Sequence, residues 1–442
     1  MREMKDSGVE WLNVIPNNWD VKRLKQILAE RNEKNNPIKS TNLLSLSIEK
    51  GVFPYSEKTG GGNKAKENFE DYKLTHENDI VLNSMNVVVG AVGLSKYYGC
   101  VSPVYYTLYS RNENYNINYY NNIFQSEAFQ KSLWGLGNGI VVKESDNGKL
   151  NTIRMRIPME KLNNVLMPIP PKEEQEKISR FLDKKIEEIN NVIEKTKKTI
   201  EDYKKYKQSI ITKTITKGLQ KNIDMKETGI EWIGSIPFNW EIVKIRNLGT
   251  LQNGISTSSE KFGTGFPFAN YGDIYNNYSL PEKLSGLINS TENERNIYSI
   301  KRGDIFFTRT SETIEEIGFS CACESDVENA CFSGFLIRFR PNNNFCILPE
   351  YYKYYFRSEL HRKYFVKEMN IVTRASLGQN LLKSMPVVIP PIDIQVQLSK
   401  YLDEKCAEID NLIQSKEKII EELENYKKSL IYEYVTGKKE VI

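Results

Sequence analysis

Residues 168–216 read PIPPKEEQEKISRFLDKKIEEINNVIEKTKKTIEDYKKYKQSIITKTIT, and residues 388–436 read VIPPIDIQVQLSKYLDEKCAEIDNLIQSKEKIIEELENYKKSLIYEYVT. The two stretches align at an offset of 220, each with Pro-Pro near its start and a glutamine four residues past the second proline, Gln175 and Gln395. The residues after the prolines predict helix. Proline suits a first helical turn, and Glu173, Glu174 and Glu176 complement the positive end of the helix dipole. Apolar residues then fall at Ile178, Leu182, Ile186, Ile189, Ile193, Ile200, Tyr203 and Ile210. The second copy places them at Leu398, Leu402, Cys406, Ile409, Ile413, Ile420, Leu423 and Leu430. From Ile189 onward the steps alternate between four and three, a heptad seam with Thr196 and Lys207 as weaker members. A stripe that narrow needs a partner. Each helix can run to roughly forty residues, or ~60 Å. Two equal seams on one chain predict an antiparallel intramolecular coiled coil that holds two modules at opposite ends of a rod. A coiled coil used only for oligomerisation is the plainer alternative.

A second repeat lies upstream of each helix. Residues 5–24, KDSGVEWLNVIPNNWDVKRL, match residues 226–245, KETGIEWIGSIPFNWEIVKI, at an offset of 221. Two tryptophans, a proline and a glycine share one frame twice, which chance does not produce. The stretches between, about 25–167 and 246–387, diverge, with traces such as Asn78-Asp79-Ile80 against Gly303-Asp304-Ile305. The predicted organisation is a first strand-rich module over 1–167, a helical region over 168–221, a second module over 222–387 and a second helical region over 388–442. Within the modules, Asp79 to Leu82 followed by Asn86 to Leu94, and Asp304 to Phe307 followed by Ile317 to Phe319, read as short strands around a turn. Val104 to Tyr109 and Phe335 to Phe339 are further strands, and Tyr119 to Ser126 and Tyr351 to Ser358 read as helices. The fold class is α+β, built as two pseudo-symmetric repeats.

Composition narrows the function. The chain has 442 residues, a net charge of +4, and a tyrosine-heavy set of aromatics. No apolar run reaches the roughly twenty residues of a membrane span, and the opening residues lack a signal-peptide core, so a soluble, cytoplasmic protein is expected. Cys321 and Cys323 form a C-x-C, no C-x-x-C occurs, and the two histidines, His76 and His361, lie far apart. That spacing argues for buried reduced thiols rather than a zinc site. Gly60-Gly61-Gly62 and Gly135-x-Gly137-x-Gly139 lack the Lys-Ser/Thr of a phosphate-binding loop and read as turns. Neither Asn-Pro-Pro nor Asp-Pro-Pro occurs, no proline precedes an aspartate, and a Walker motif is absent, so catalysis by this chain alone is not expected.

Reading DNA needs Arg, Lys, Asn, Gln, Ser and Thr on loops and edges that reach bases and phosphates. The first module offers Lys64, Lys66, Asn83, Ser84, Asn86, Asn138, Lys143, Arg154 and Arg156. The second offers Lys261, Asn270, Tyr271, Thr308, Arg309, Thr310, Ser311, Arg374, Ser376 and Gln379. Any one of them is more often an ordinary solvated side chain; as sets in paired modules they carry more weight.

Taken together, the doubled G-[VI]-E-W-[LI]-x-x-I-P-x-N-W opening, Gly303-Asp304-Ile305-Phe306-Phe307 with Arg374, and the doubled I-P-P-x-x-x-Q resemble the specificity subunits of type I restriction–modification systems. The resemblance covers essentially the whole chain. Asn78 to Ser84 departs from the arginine-containing form found around Arg309, and Ile394 departs from the family's usual residue before the glutamine. The resemblance implies a non-catalytic subunit that binds a bipartite site in double-stranded DNA. Each module would read one half-site, and the helices would fix the spacing and dock two modification (methyltransferase) subunits. Those partners would bring S-adenosylmethionine, and restriction (motor and nuclease) subunits would bring ATP and Mg. The alternatives are a coiled-coil scaffold that never touches DNA and a stand-alone DNA-modifying enzyme with an unrecognised motif.

Overall fold

The structure, a computed structural model, describes residues 2–59, 65, 68–139, 143–144, 150–151, 155–220, 222–311, 317–342, 347–368 and 375–441. The chain forms two compact units, Met1–Thr196 with Lys418–Ile442, and Lys197–Glu417. Each therefore contains one strand-rich module and a part of each long helix, Lys172–Lys217 and Ile392–Val435.

Both modules are built on one plan. In the first unit a four-stranded antiparallel sheet runs in the order Leu28–Glu30, Tyr105–Ser110, Ile80–Asn83, Val92–Leu94. In the second unit the order is Gly249–Asn253, Leu336–Pro341, Ile305–Thr308, Ser320–Ala322, again antiparallel throughout. Central strands such as Ile305–Thr308 are buried on both faces, which is why they read as unbroken apolar runs rather than as alternation. The helices expected at Tyr119 to Ser126 and Tyr351 to Ser358 run over Ile117–Gln125 and Pro349–Arg357, close to the predicted bounds. The strand expected at Ile317 to Phe319 lies slightly later, at Ser320–Ala322. Gly318, at φ +64°, makes a turn in its place. Likewise the stretch from Asn86 to Leu94 is a 3-10 turn, Val87–Val89, followed by the strand Val92–Leu94.

The repeated sequence motifs close each module on itself. Asp20–Arg23 pairs antiparallel with Leu166–Ile169, and Glu241–Lys244 pairs with Pro386–Ile389, so the strand after the second tryptophan joins the strand that enters the long helix. Gln175 and Gln395, both buried, turn back to donate to the carbonyls of Pro170 and Pro390, each at 2.8 Å. Their side-chain oxygens accept the backbone N–H of Asn116 at 2.8 Å and of Leu348 at 3.0 Å. One amide thus fastens the start of the long helix to the start of Ile117–Gln125 in the first unit and of Pro349–Arg357 in the second. The tryptophans have a matching use. Gly437 ends the second helix at φ +70°, and a Cβ there would lie 2.6 Å from Pro16 and 2.9 Å from Trp19. Gly218 ends the first at φ +67°, against Trp240.

Within each unit the two helix halves run antiparallel. In the first unit the rings of Phe181 and Tyr434 lie 4.5 Å apart, and Lys427 donates to Asn190 at 3.0 Å, so the numbering rises on one helix as it falls on the other. In the second, Lys207 meets Asp410 at 2.6 Å while Ile211 and Ile215 share a core with Leu398, Leu402 and Cys406. Seam residues Ile178, Leu182, Ile189, Ile193, Ile200, Leu398, Leu402, Ile409, Ile413 and Leu430 are buried. Tyr203, Ile210, Ile420 and Leu423 are half-buried. The seam widens where a strict heptad would not take it, because Ile211, Ile215, Ile431 and Val435 are also buried. There the end of each helix packs against the module of the other repeat as well as its partner helix: the hydroxyl of Tyr119 donates to the carbonyl of Val435 at 2.7 Å, and that of Tyr351 to Ile215 at 3.4 Å. A second contact face restores the broader stripe of a globular helix. Among the described residues no helix is long and apolar enough to cross a membrane.

Candidate nucleic-acid interface

In the second unit the strand Ile305–Thr308 delivers Arg309 to one end of its sheet. The Arg309 backbone is held on both sides: its N–H donates to Phe335 at 2.9 Å, and its carbonyl accepts from Leu377 at 2.7 Å. Thr310–Ser311 then pairs with Ala375–Ser376, with Thr310 opposite Ser376. Gln379 donates to Asn253 at 3.0 Å, which ties the following helix, Gln379–Ser384, to the strand Gly249–Asn253. The structure thus gathers Thr308, Arg309, Thr310, Ser311, Ser376 and Gln379 at one sheet end. Arg309 and Thr310 are half-exposed and Ser376 is exposed, whereas Thr308 is fully buried. Thr308 is corrected to a core position.

Asn270 reaches the same region through the backbone, since Ser333 donates to Ala269 at 3.0 Å, two residues before Phe335. Its side chain caps the short helix Tyr271–Tyr275 by accepting from Asp273 at 3.2 Å, and donates to Ser285 at 2.7 Å. Tyr271 stacks on Tyr275 with ring centroids 5.6 Å apart. This helix is clamped from beneath by Arg357, whose guanidinium donates to the carbonyls of Ile274, Asn277 and Ser320 at 2.9–3.0 Å and also to Tyr275. Burial lowers the Arg357 pKa from its usual value. Lys261 is engaged elsewhere, in an ion pair with Glu294 at 3.6 Å.

The first unit repeats the frame with different chemistry. Ser84 occupies the place of Arg309: its carbonyl accepts from Ile157 at 2.9 Å, as that of Arg309 accepts from Leu377. Its hydroxyl, however, donates to Val104 at 2.9 Å, and the residue is fully buried. Ser84 is therefore corrected to a structural residue, because its only polar side-chain group is spent inside. Asn83 and Asn86 shape the adjoining turn, with Asn83 accepting from Met85 and the Asn86 carbonyl accepting from Val89 and Ala91, all at 3.0–3.1 Å. Asn138 and Arg156 are opposed across a two-stranded pairing and both exposed, and Asn138 accepts from Lys161 at 3.0 Å. Lys143 lies in a separate pairing opposite Asn151. Lys64, Lys66, Arg154, Arg374 and the glycines 60–62 fall outside the described residues.

At the far end of the strands Ile80–Asn83 and Ile305–Thr308 a buried aspartate holds an arginine, which follows the strand Leu28–Glu30 in the first unit and lies on Leu336–Pro341 in the second. Asp79 accepts from Arg31 at 2.7 and 3.1 Å, and Asp304 from Arg340 at 2.7 and 2.6 Å. Both aspartates are buried and begin the strand that leads to the site. Neither Asn253, which accepts from Gln379, nor Phe335, which accepts from Arg309, was among the DNA-contact residues singled out in the sequence. A glycine and an aromatic just ahead of a strand, Gly334-Phe335, were the signal for a turn that presents a side chain.

The type I restriction modification DNA specificity domain matches this chain twice, over residues 16–202 and 237–425. The chain is 27% identical over 297 residues to the putative type I restriction enzyme MjaX specificity subunit of Methanocaldococcus jannaschii, a match that covers 64% of this chain and 61% of that one. It is 24% identical over 431 residues to the type I restriction enzyme MjaVIII specificity subunit of the same organism, covering 96% of this chain and 93% of the relative. Its fold is that of a chain in a solved structure concerned with complex assembly and conformational transition of the type I R-M system. There the TM-score is 0.69 at 14% identity, over 96% of this chain and 99% of the other. With one such domain in each half, the chain belongs to the family of type I restriction–modification DNA specificity subunits.

Proposed function

We propose that the chain reads a bipartite DNA target, one half-site with each module, and itself carries no catalytic step. The observation that carries this reading is the gathering of Arg309, Thr310, Ser376 and Gln379 at the end of a sheet whose frame recurs in the other unit with different side chains. One scaffold with two unlike reading edges suits a target whose halves differ. The long helices, each shared by both units, would set the spacing of the half-sites and offer the docking surface for two modification subunits. Those subunits would supply S-adenosylmethionine-dependent adenine methylation, and restriction subunits would supply ATP- and Mg-driven translocation and cleavage. A cytoplasmic location follows from that role.

Mapping methylated adenines in the host genome tests the proposal. The expected result is a split motif, and exchange of residues 25–167 for those of a relative should alter only one half of it. A continuous motif, or a change in both halves, would overturn the assignment of one half-site to each module. DNA binding by the purified assembly should weaken steeply with salt, as phosphate contacts require.

A further inference from the structure

We propose that Phe335 is a base-reading residue of the second module, packing its ring on the C5-methyl group of a thymine beside the base addressed by Arg309. Such a contact rests on the DNA-reading role proposed above and names a determinant within it. Phe335 is 62% exposed, while Phe306, Phe307, Phe332 and Phe339 around it are wholly buried. Its exposure is built in. The Phe335 N–H donates to the Ser333 hydroxyl at 3.2 Å, its carbonyl accepts from Arg309 at 2.9 Å, and Gly334 donates to Ile255 at 2.7 Å. A Cβ at Gly334 would sit 2.3 Å from the Ser256 hydroxyl, so the turn lies tight against that strand end. A pinned turn of this kind holds the ring outward at little entropic cost on binding.

The other unit supplies an independent observation. Tyr105 stands opposite Asn83 as Leu336 stands opposite Thr308, so the residue equivalent to Phe335 is Val104. Val104 is also apolar and also exposed, at 38%. Two diverged modules thus keep an outward apolar side chain at the same step of the same frame. Beside a guanidinium able to grip guanine O6 and N7, the complementary mark in the major groove is the thymine methyl, the one apolar group on its floor.

The test uses the full chain and duplexes bearing its target, with thymines of the second half-site replaced one at a time by deoxyuridine. At one position the loss of the methyl should weaken wild-type binding about fourfold, the worth of one buried methyl-sized group. The variant Phe335→Ala should bind more weakly and be indifferent to that replacement, and Phe335→Leu should keep part of the discrimination. Because the ring is solvent-exposed, the variants should melt with the wild type. Indifference of the wild type to every replacement overturns the inference, as does wild-type affinity in Phe335→Ala. Equal weakening of Phe335→Ala on all sequences would make the ring a wedge between base steps and overturn it too. Lost discrimination of the first half-site by the wild type would instead sink the DNA-reading role itself.

Discussion

Arg340 grips Asp304 through two hydrogen bonds, 2.7 and 2.6 Å long, at the start of the strand that delivers Arg309. Asp304 is fully buried and accepts in addition the Lys301 N–H at 2.8 Å. Its charge is tolerable there only because each oxygen has a donor. Removing the aspartate strands a guanidinium that is only partly buried and, for Arg340, still donates to Ser299, at about 1–3 kcal/mol. Asp304→Ala should therefore lose stability on that scale in a denaturant titration, and Asp79→Ala, which abandons Arg31, should do the same. A shift below about 1 kcal/mol would show that water reaches the stranded arginine.

The parts of this fold that sequence displays are those written twice. The tryptophan motif, the Pro-Pro entrances, and Gln175 with Gln395 announce two repeats because identical local geometry demanded identical residues. The seam was legible as far as the heptad held, through Ile200 in the first helix and Leu430 in the second. It stopped being legible at Ile215 and Val435, where packing against the modules, a tertiary effect, adds a second buried face. The site was harder. Ser84 and Thr308 have the composition of DNA contacts, yet burial depends on which side of a strand faces the sheet, and a one-residue change of register exchanges the two sides. Phe335 reads as the first residue of a strand; the strand begins at Leu336, and Phe335 sits exposed in the turn before it.

Buried thiols give a pH-dependent prediction. Burial pushes Cys100 and Cys406 up to about 11 and Cys323 to about 12, from an ordinary 9.0. A thiol with a raised folded-state pKa favours the folded chain while it stays protonated. Between pH 9 and 11 the unfolded chain releases protons that the folded chain still holds, so stability should fall as pH rises through that window and stay level, on this account, below it. In the native protein at pH 8 the five described cysteines, all buried, should resist alkylation, and mild denaturant should expose them. Rapid labelling of Cys406 without denaturant would mean that the seam opens locally.

Ile193 tests the helix pairing. It is 4% exposed and shares a core with Leu430 and Ile431 of the other long helix. Ile193→Asp removes that apolar contact and leaves a carboxylate in the seam, for a loss of about 3–5 kcal/mol. The outcome should be an unfolded or aggregating chain, whereas Ile193→Val should cost only about 0.5–1.5 kcal/mol and fold normally. Native-like melting of Ile193→Asp would show that the seam does not hold the unit together.

Arg309 separates reading from folding. Its backbone bonds to Phe335 and Leu377 survive truncation of the side chain, and the residue is half-exposed, so Arg309→Ala should leave the melting temperature nearly unchanged. If the guanidinium grips a base, the variant should lose about 1–3 kcal/mol of binding, roughly five- to 150-fold, on targets with an intact second half-site. Discrimination at the first half-site should persist, since that edge is built from the other unit's residues. A phosphate contact predicts a different pattern: weaker binding on every sequence, with the salt slope reduced by about one. Competition between duplexes altered in one half-site or the other distinguishes the two, and an unchanged affinity for all of them removes Arg309 from the interface.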